Sequence, residues 1–181
     1  MAVRNILTND DPGLTMKSRI ITDFDSRLHQ LLDDMRDTLI CANGAGIAAP
    51  QVGVLRRAIL VVNSKRKAEL MEELDRDDVS DMYYQDIVEM INPEIINTDG
   101  EQVGNEGCLS LPGQCGIVTR PLSVTVKAQD RYGDFFELTC RDHAARAVCH
   151  EINHLDGVLY TSLATRMLTA EEIEDLNLST S

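Results

Sequence analysis

The chain has 181 residues, 43% of them hydrophobic, and a formal net charge of −13. That length suits one domain, residues 1–181, with a sizeable core, and no run of about 18 apolar residues is present to cross a bilayer. The negative charge argues against general affinity for nucleic acid or an anionic membrane surface, both polyanions.

Residues 1–11 lack a basic start followed by an apolar stretch, so no signal peptide is expected and the protein is placed in the cytoplasm. Residues 22–43 carry Leu28, Leu31, Leu32, Met35 and Leu39 at helical spacing, open with Thr22 and Asp25 as a cap, and end near Gly44. This is the pattern of an amphipathic helix packed on the core. Gly44, Gly46 and Gly53, taken alone, read as loop glycines. Residues 57–63 and 87–96 read as strands. Between them, residues 64–86 are rich in acids and have only a weak helical period around Leu70, Met71 and Leu74, the pattern of a surface insertion. Residues 122–129 and 135–140 form a second strand pair with Arg131-Tyr132-Gly133-Asp134 as the turn. A helix follows, with Thr139 and Asp142 as a capping box, Ala144, Ala145, Ala147 and Val148 favouring helix, and Gly157 at its stop. The tail is short and acidic (Glu171, Glu172, Glu174, Asp175) and opens with a capping-box-like Thr169 and Glu172. The expected architecture is α+β: a central helix between small antiparallel sheets, with an N-terminal amphipathic helix.

The central helix carries His150-Glu151-Ile152-Asn153-His154, an HExxH pentad. Its imidazoles are one turn apart on one face with a carboxylate beside them, which suits a divalent metal with a general base at hand. The bland alternative is a polar helix whose histidines happen to be spaced by four. A catalytic site needs three protein ligands and an open position, so one ligand must come from elsewhere. The five cysteines (Cys41, Cys108, Cys115, Cys140, Cys149) are an odd number in a chain without export features, which favours reduced thiols over disulfides. Cys41, Cys115 and Cys140 read as small buried hydrophobes. Cys149 points about 100° around the helix from His150 and is assigned to packing. Beside a bound metal, Glu151 could take a proton from an acidified water and deliver it to a leaving amine, which is hydrolysis of an amide-like bond.

Residues 44–53, Glu106-Gly107-Cys108-Leu109-Ser110 and residues 150–157 stand in the order of three signature motifs, and through them the sequence resembles the peptide deformylase family from about Asp11-Pro12 to about Leu163. The resemblance implies that family's fold and its activity, removal of the formyl group from the N-terminal methionine of new polypeptides with release of formate. It selects Cys108 as third ligand beside His150 and His154, a soft, anionic thiolate that moderates the metal's acidity. It gives Glu151 proton transfer, and assigns the oxyanion to the metal, the Gln51 side-chain amide and the Leu109 backbone N–H. It lays the peptide as an added strand along Ala45 and Gly46 with Gly107 on the other side. The methionine side chain would enter a pocket at Arg146 and Ala147 with Glu106 near its mouth, the Arg146 charge staying in water or pairing with Glu106. The implied ion is Fe²⁺ in the cell, with Zn²⁺, Ni²⁺ or Co²⁺ as other occupants. Implied partners are N-formyl-methionyl nascent chains, with no membrane and no direct nucleic-acid binding. Three departures stand out: His143-Ala144 replaces larger aliphatic residues, Cys149 replaces a frequent glutamine, and the tail is acidic where some bacterial relatives carry a basic helix that touches the ribosome. Two other readings use the same pentad. An endopeptidase would need a further ligand downstream, where the chain has no histidine but does have Glu171, Glu172 and Glu174; a structural site would need a fourth protein ligand and no Glu151 or Gln51.

Overall fold

A computed structural model describes residues 2–9, 11–63 and 86–179. Three helices are found among them: α1 (Ser26–Cys41), α2 (Asp142–Leu155) and α3 (Ala170–Ser179). The strands are β1 (Gly46–Ala48), β2 (Ala58–Val62), β3 (Ile87–Asp99), β4 (Gln102–Cys108), β5 (Leu111–Arg120), β6 (Ser123–Gln129), β7 (Phe135–Arg141) and β8 (Arg166–Met167). They form a five-stranded sheet in the order β1-β2-β3-β6-β7 and a three-stranded sheet in the order β4-β5-β8, with antiparallel pairing throughout. No helix is long and apolar enough to cross a membrane among the described residues.

The sequence AILVV of β2 explains how the larger sheet is covered. Successive side chains of a strand point to opposite faces. Ala58, Leu60 and Val62 pack with Leu28, Leu31, Leu32, Met35 and Leu39 of α1, whereas Ile59 and Val61 pack with Ala145, Val148, Ile152 and Leu155 of α2. A strand buried on both faces needs a continuous apolar run, and β2 is buried at every position. Helix α2 also contacts β1, β6 and β7 of the same sheet and β5 of the smaller one, so it lies where the two sheets meet.

Helix α1 opens later than expected. Asp25 alone is the cap, its carboxylate accepting the N–H groups of Arg27 and Leu28, and Thr22 lies outside. At α2 the expected capping box does not form. Thr139 belongs to β7 and bonds across the ladder to Thr125 Oγ1 at 3.0 Å. The helix starts at Asp142, whose N–H donates to the Leu122 carbonyl at 2.8 Å and whose carbonyl accepts from Gln102 Nε2 at 2.7 Å. One of the unpaired first-turn N–H groups, that of Asp142, thus finds a long-range partner where no side chain caps the helix. The α3 box does form: Glu172 accepts the Thr169 N–H at 2.9 Å and Thr169 Oγ1 accepts the Glu172 N–H at 3.3 Å. Cys41, expected inside, is exposed at the end of α1, while Cys140 and Cys149 are buried. The expected insertion at residues 64–86 lies outside the described residues except at its end, where the Asn63 N–H donates to the Asp86 carbonyl at 3.0 Å.

Gly157 ends the site-bearing helix at φ +72, and a Cβ there would sit 2.5 Å from the Thr15 carbonyl oxygen. The left-handed conformation alone costs a non-glycine residue roughly 1–2 kcal/mol, and the backbone clash adds to it. Gly157→Ala should therefore lower unfolding free energy by at least about 2 kcal/mol in a urea titration; a loss below about 0.5 kcal/mol would show that the helix end can shift without penalty.

Candidate active site

Helix α2 turns His150 and His154 to one face, with ring centroids 5.0 Å apart. Cys108, the last residue of β4, brings its Sγ to 3.2 Å from His154 Nε2. One ligand atom from each of Cys108, His150 and His154 lies within 4.8 Å of the others, the one such group among the described residues. His150 is held from behind by Nδ1, 3.1 Å from Glu106 Oε2, which leaves Nε2 free to face the cluster. A ligating histidine is usually oriented in this way, through its other nitrogen. The donor set, one soft thiolate and two imidazoles with room for a fourth ligand, fits a divalent transition metal.

The two histidines differ in their surroundings. Burial lowers His150, but hydrogen bonds to Cys108 and Glu106 outweigh it and hold the imidazole up to about 10. Burial, with the nearby His150 charge, takes His154 down to about 3.

Beneath His150 lies a buried ionic group. Glu106 accepts from Arg120 Nε at 2.8 Å and Arg120 Nη2 at 2.9 Å, and from Arg146 Nη1 at 2.9 Å. Burial pushes the Glu106 carboxyl up, but the Arg120 and His150 hydrogen bonds prevail and hold it at about 2. Arg120 Nη1 also donates to Asn153 Oδ1 at 2.6 Å, inside the pentad. The structure decides two expectations. Glu106, expected near the pocket mouth, is 5% exposed with its carboxylate on His150 Nδ1, and of the two alternatives for the Arg146 charge, water or Glu106, the pairing forms. Arg120 was not singled out in the sequence. Neither is Tyr160, whose ring stacks on His150 at 5.7 Å and 29°.

Glu151 is buried against β1, and a Cβ on Gly46 would stand 2.7 Å from its Oε1. Gly46 is thus required by the close approach of Glu151. Burial pushes the Glu151 carboxyl up to about 7, a value suited to exchanging protons near neutrality. Gln51 sits in a single helical turn, Ala49–Val52, and its Oε1 accepts the Ala48 N–H at 2.8 Å. That bond fixes the amide orientation, leaving Nε2 as donor to Ser110 Oγ at 3.2 Å and Cys108 Sγ at 3.5 Å.

A cavity of about 370 Å³ opens over these groups. Gln51, Leu109, Glu151, Ala45, Gly46, Glu106, Gly107, Arg146, Ala147, Cys108 and His150 all line it, as does His143; His154 lies behind and does not. Both β1 and β4 are edge strands of their sheets, and the cavity runs between them.

The family model for polypeptide deformylase matches residues 3–169. A peptide deformylase from Caldicellulosiruptor bescii is 47% identical over 174 residues, covering 96% of this chain and 93% of that protein. The chain belongs to the peptide deformylase family. A deformylase structure from Legionella pneumophila superposes with a TM-score of 0.77 at 33% identity, covering 98% of both chains. One from Acinetobacter baumannii, described as bound to Met-Ala-Ser, superposes with a TM-score of 0.75 at 30% identity, covering 90% of this chain and 98% of that one. The deformylase is a metal-dependent hydrolase that removes the formyl group from the N-terminal methionine of new polypeptides and releases formate.

In this deformylase, Glu106→Gln would leave two buried guanidiniums short of their anion. Breaking a buried pair in this way costs about 3–5 kcal/mol, and loss of an orienting partner typically weakens metal binding by about 10–100-fold. Urea titration and chelator competition measure the two effects. Because the Glu106 carboxyl is depressed, its stabilisation is full above its unfolded value of 4.5 and is lost as pH falls towards about 2. The variant should lack that part of the acid dependence; unchanged acid dependence would remove the charge from this role.

Proposed function

We propose that Cys108, His150 and His154 hold one divalent ion and that this single unit, residues 1–181, carries out the deformylation at the cavity above them. The supporting observation is the convergence of three ligand atoms within 4.8 Å on a cavity that Glu151 and Gln51 also line. When bound, the ion acidifies a water and polarises the formyl carbonyl. Glu151 receives the proton of the attacking water and returns it to the departing amine as the C–N bond breaks. Gln51 Nε2, its orientation fixed by the Ala48 N–H, and the backbone N–H of Leu109 donate to the oxyanion of the tetrahedral intermediate. The open edges at Gly46 of β1, with Ala45 just before it, and at Gly107 of β4 suit pairing with an extended peptide from both sides. The methionine side chain enters at Ala147 and the Arg146 stem, with Glu106 supporting His150 and Arg146 from below.

The ion is Fe²⁺ in the cell, with Zn²⁺, Ni²⁺ or Co²⁺ able to occupy the same donors. The substrate is the N-formyl-methionyl nascent chain, met in the cytoplasm. Helix α3 begins with Glu171 and Glu172 and has no basic residue in its last turn, so no docking to ribosomal RNA is assigned to it. Of the endopeptidase reading's downstream candidates, Glu172 is bound to Arg166 and Thr169, and none of Glu171, Glu172 and Glu174 joins the donor group of His150 and His154. A structural site is disfavoured because the donor group has three members among the described residues rather than four.

Glu151→Ala should keep its metal and lose roughly 10²–10⁴ in kcat on formyl-Met-Ala, whereas Cys108→Ala should lose the metal and Cys149→Ala should not. Elemental analysis beside formate release reads all three. A metal-loaded Glu151→Ala with near wild-type kcat would end the proton-transfer assignment, and equal metal content in the two cysteine variants would remove Cys108 from the ligand set.

A further inference from the structure

Gln51 and Leu109 come from different sheets: one follows edge strand β1, the other sits in the turn between β4 and β5. Placing two donors on one oxyanion requires those two loops to be held in register, and the cavity between them supplies no covalent link. The N-terminal segment crosses both. The Leu7 N–H donates to the Gln51 carbonyl at 2.8 Å, and two residues later the Asn9 N–H donates to the Ser110 carbonyl at 3.0 Å. Gln51 Nε2 in turn donates to Ser110 Oγ at 3.2 Å, so the three segments close a ring of hydrogen bonds. Both loop residues are buried, Gln51 to 1% and Ser110 to 0% exposure. The segment is itself anchored upstream on α1: the Ala2 N–H donates to Asp34 Oδ1 at 2.9 Å, the Arg4 N–H to Thr38 Oγ1 at 2.9 Å, and the Arg4 guanidinium to Asp34 Oδ2 at 3.0 Å.

We propose that residues 7–9 are a positioning strap that sets the spacing of the two oxyanion donors, through the backbone N–H groups of Leu7 and Asn9. This rests on the assignment of Gln51 and Leu109 made above. The strap touches no reacting atom. It acts on the transition state because displacement of an oxyanion donor by about 1 Å is enough to cost as much as 10²-fold in rate. It should therefore change kcat and leave ground-state binding of the peptide nearly alone.

Leu7→Pro and Asn9→Pro each delete one strap N–H, whereas Leu7→Ala and Asn9→Ala keep it. On a short formyl-Met peptide, the proline variants should lose about tenfold or more in kcat with KM within about threefold and full metal content, and the alanine variants should stay within about threefold in both. In a Gln51→Ala background, Leu7→Pro should cost less than about twofold further, because the donor it positions is gone. Folded, metal-loaded proline variants with wild-type kcat would overturn the strap, as would alanine variants that lose as much as proline ones, or full additivity with Gln51→Ala. If a proline variant does not fold, replacing Leu7 by the corresponding α-hydroxy acid removes the N–H and keeps the side chain, and the same kcat and KM criteria decide. A Gln51→Ala enzyme with wild-type kcat would instead sink the oxyanion assignment itself, an outcome separate from a slow Gln51→Ala with unaffected strap variants.

Discussion

Taking the Glu106 carboxylate out of water would cost several kcal/mol were it not met by Arg120 from β5, Arg146 from α2 and Nδ1 of His150. This one anion joins the smaller sheet to the helix, and the rest of the site is positioned from it. It orients His150. Through Arg120 it also reaches Asn153, so a second position of the pentad is fixed from the same charge. Glu106 and Cys108 stand two residues apart on β4, with a register irregularity between them. The strand that supplies the buried anion therefore also delivers the thiolate to the histidines.

Close approach is the second constraint. Helix α2 can bring Glu151 to the cavity only because β1 presents Gly46, where a side chain would collide with the carboxylate. The same narrow packing removes water from Glu151 and pushes its carboxyl up to about 7. One geometric choice thus gives both the position and the proton affinity of the proposed base. The edge placement of β1 leaves its outer side beside the cavity without a second neighbouring strand among the described residues, the Ala48 N–H being taken there by Gln51 Oε1.

The sequence made some of this visible. The period of Leu28, Leu31, Leu32, Met35 and Leu39 and the spacing of His150 and His154 are local signals, and the residues that carry them lie in Ser26–Cys41 and Asp142–Leu155, each helix starting later than its expected cap. Strands β4 and β5 were not visible, because QVGNEGC and LPGQCGIVTR lack a sustained apolar alternation and are held by pairing with each other. Arg120 was lost with them, since an arginine at the end of an unrecognised strand carries no mark of burial. Thr139 gave a false cap because the β6–β7 ladder competes for the same hydroxyl. Cys108 was distinguished from the other cysteines by resemblance, and its approach to His154 depends on tertiary structure. The contact of Glu106 with His150 Nδ1 could not be read from a motif that records only order.

X-ray absorption at the metal edge of the Zn²⁺-loaded protein tests the central claim most directly, because it counts the donor types without reference to activity. The proposed Cys108, His150 and His154 ligand set predicts one sulfur at about 2.3 Å and two imidazole nitrogens at about 2.0–2.1 Å, with one further light donor. A first shell without sulfur, or with more than one, would contradict it.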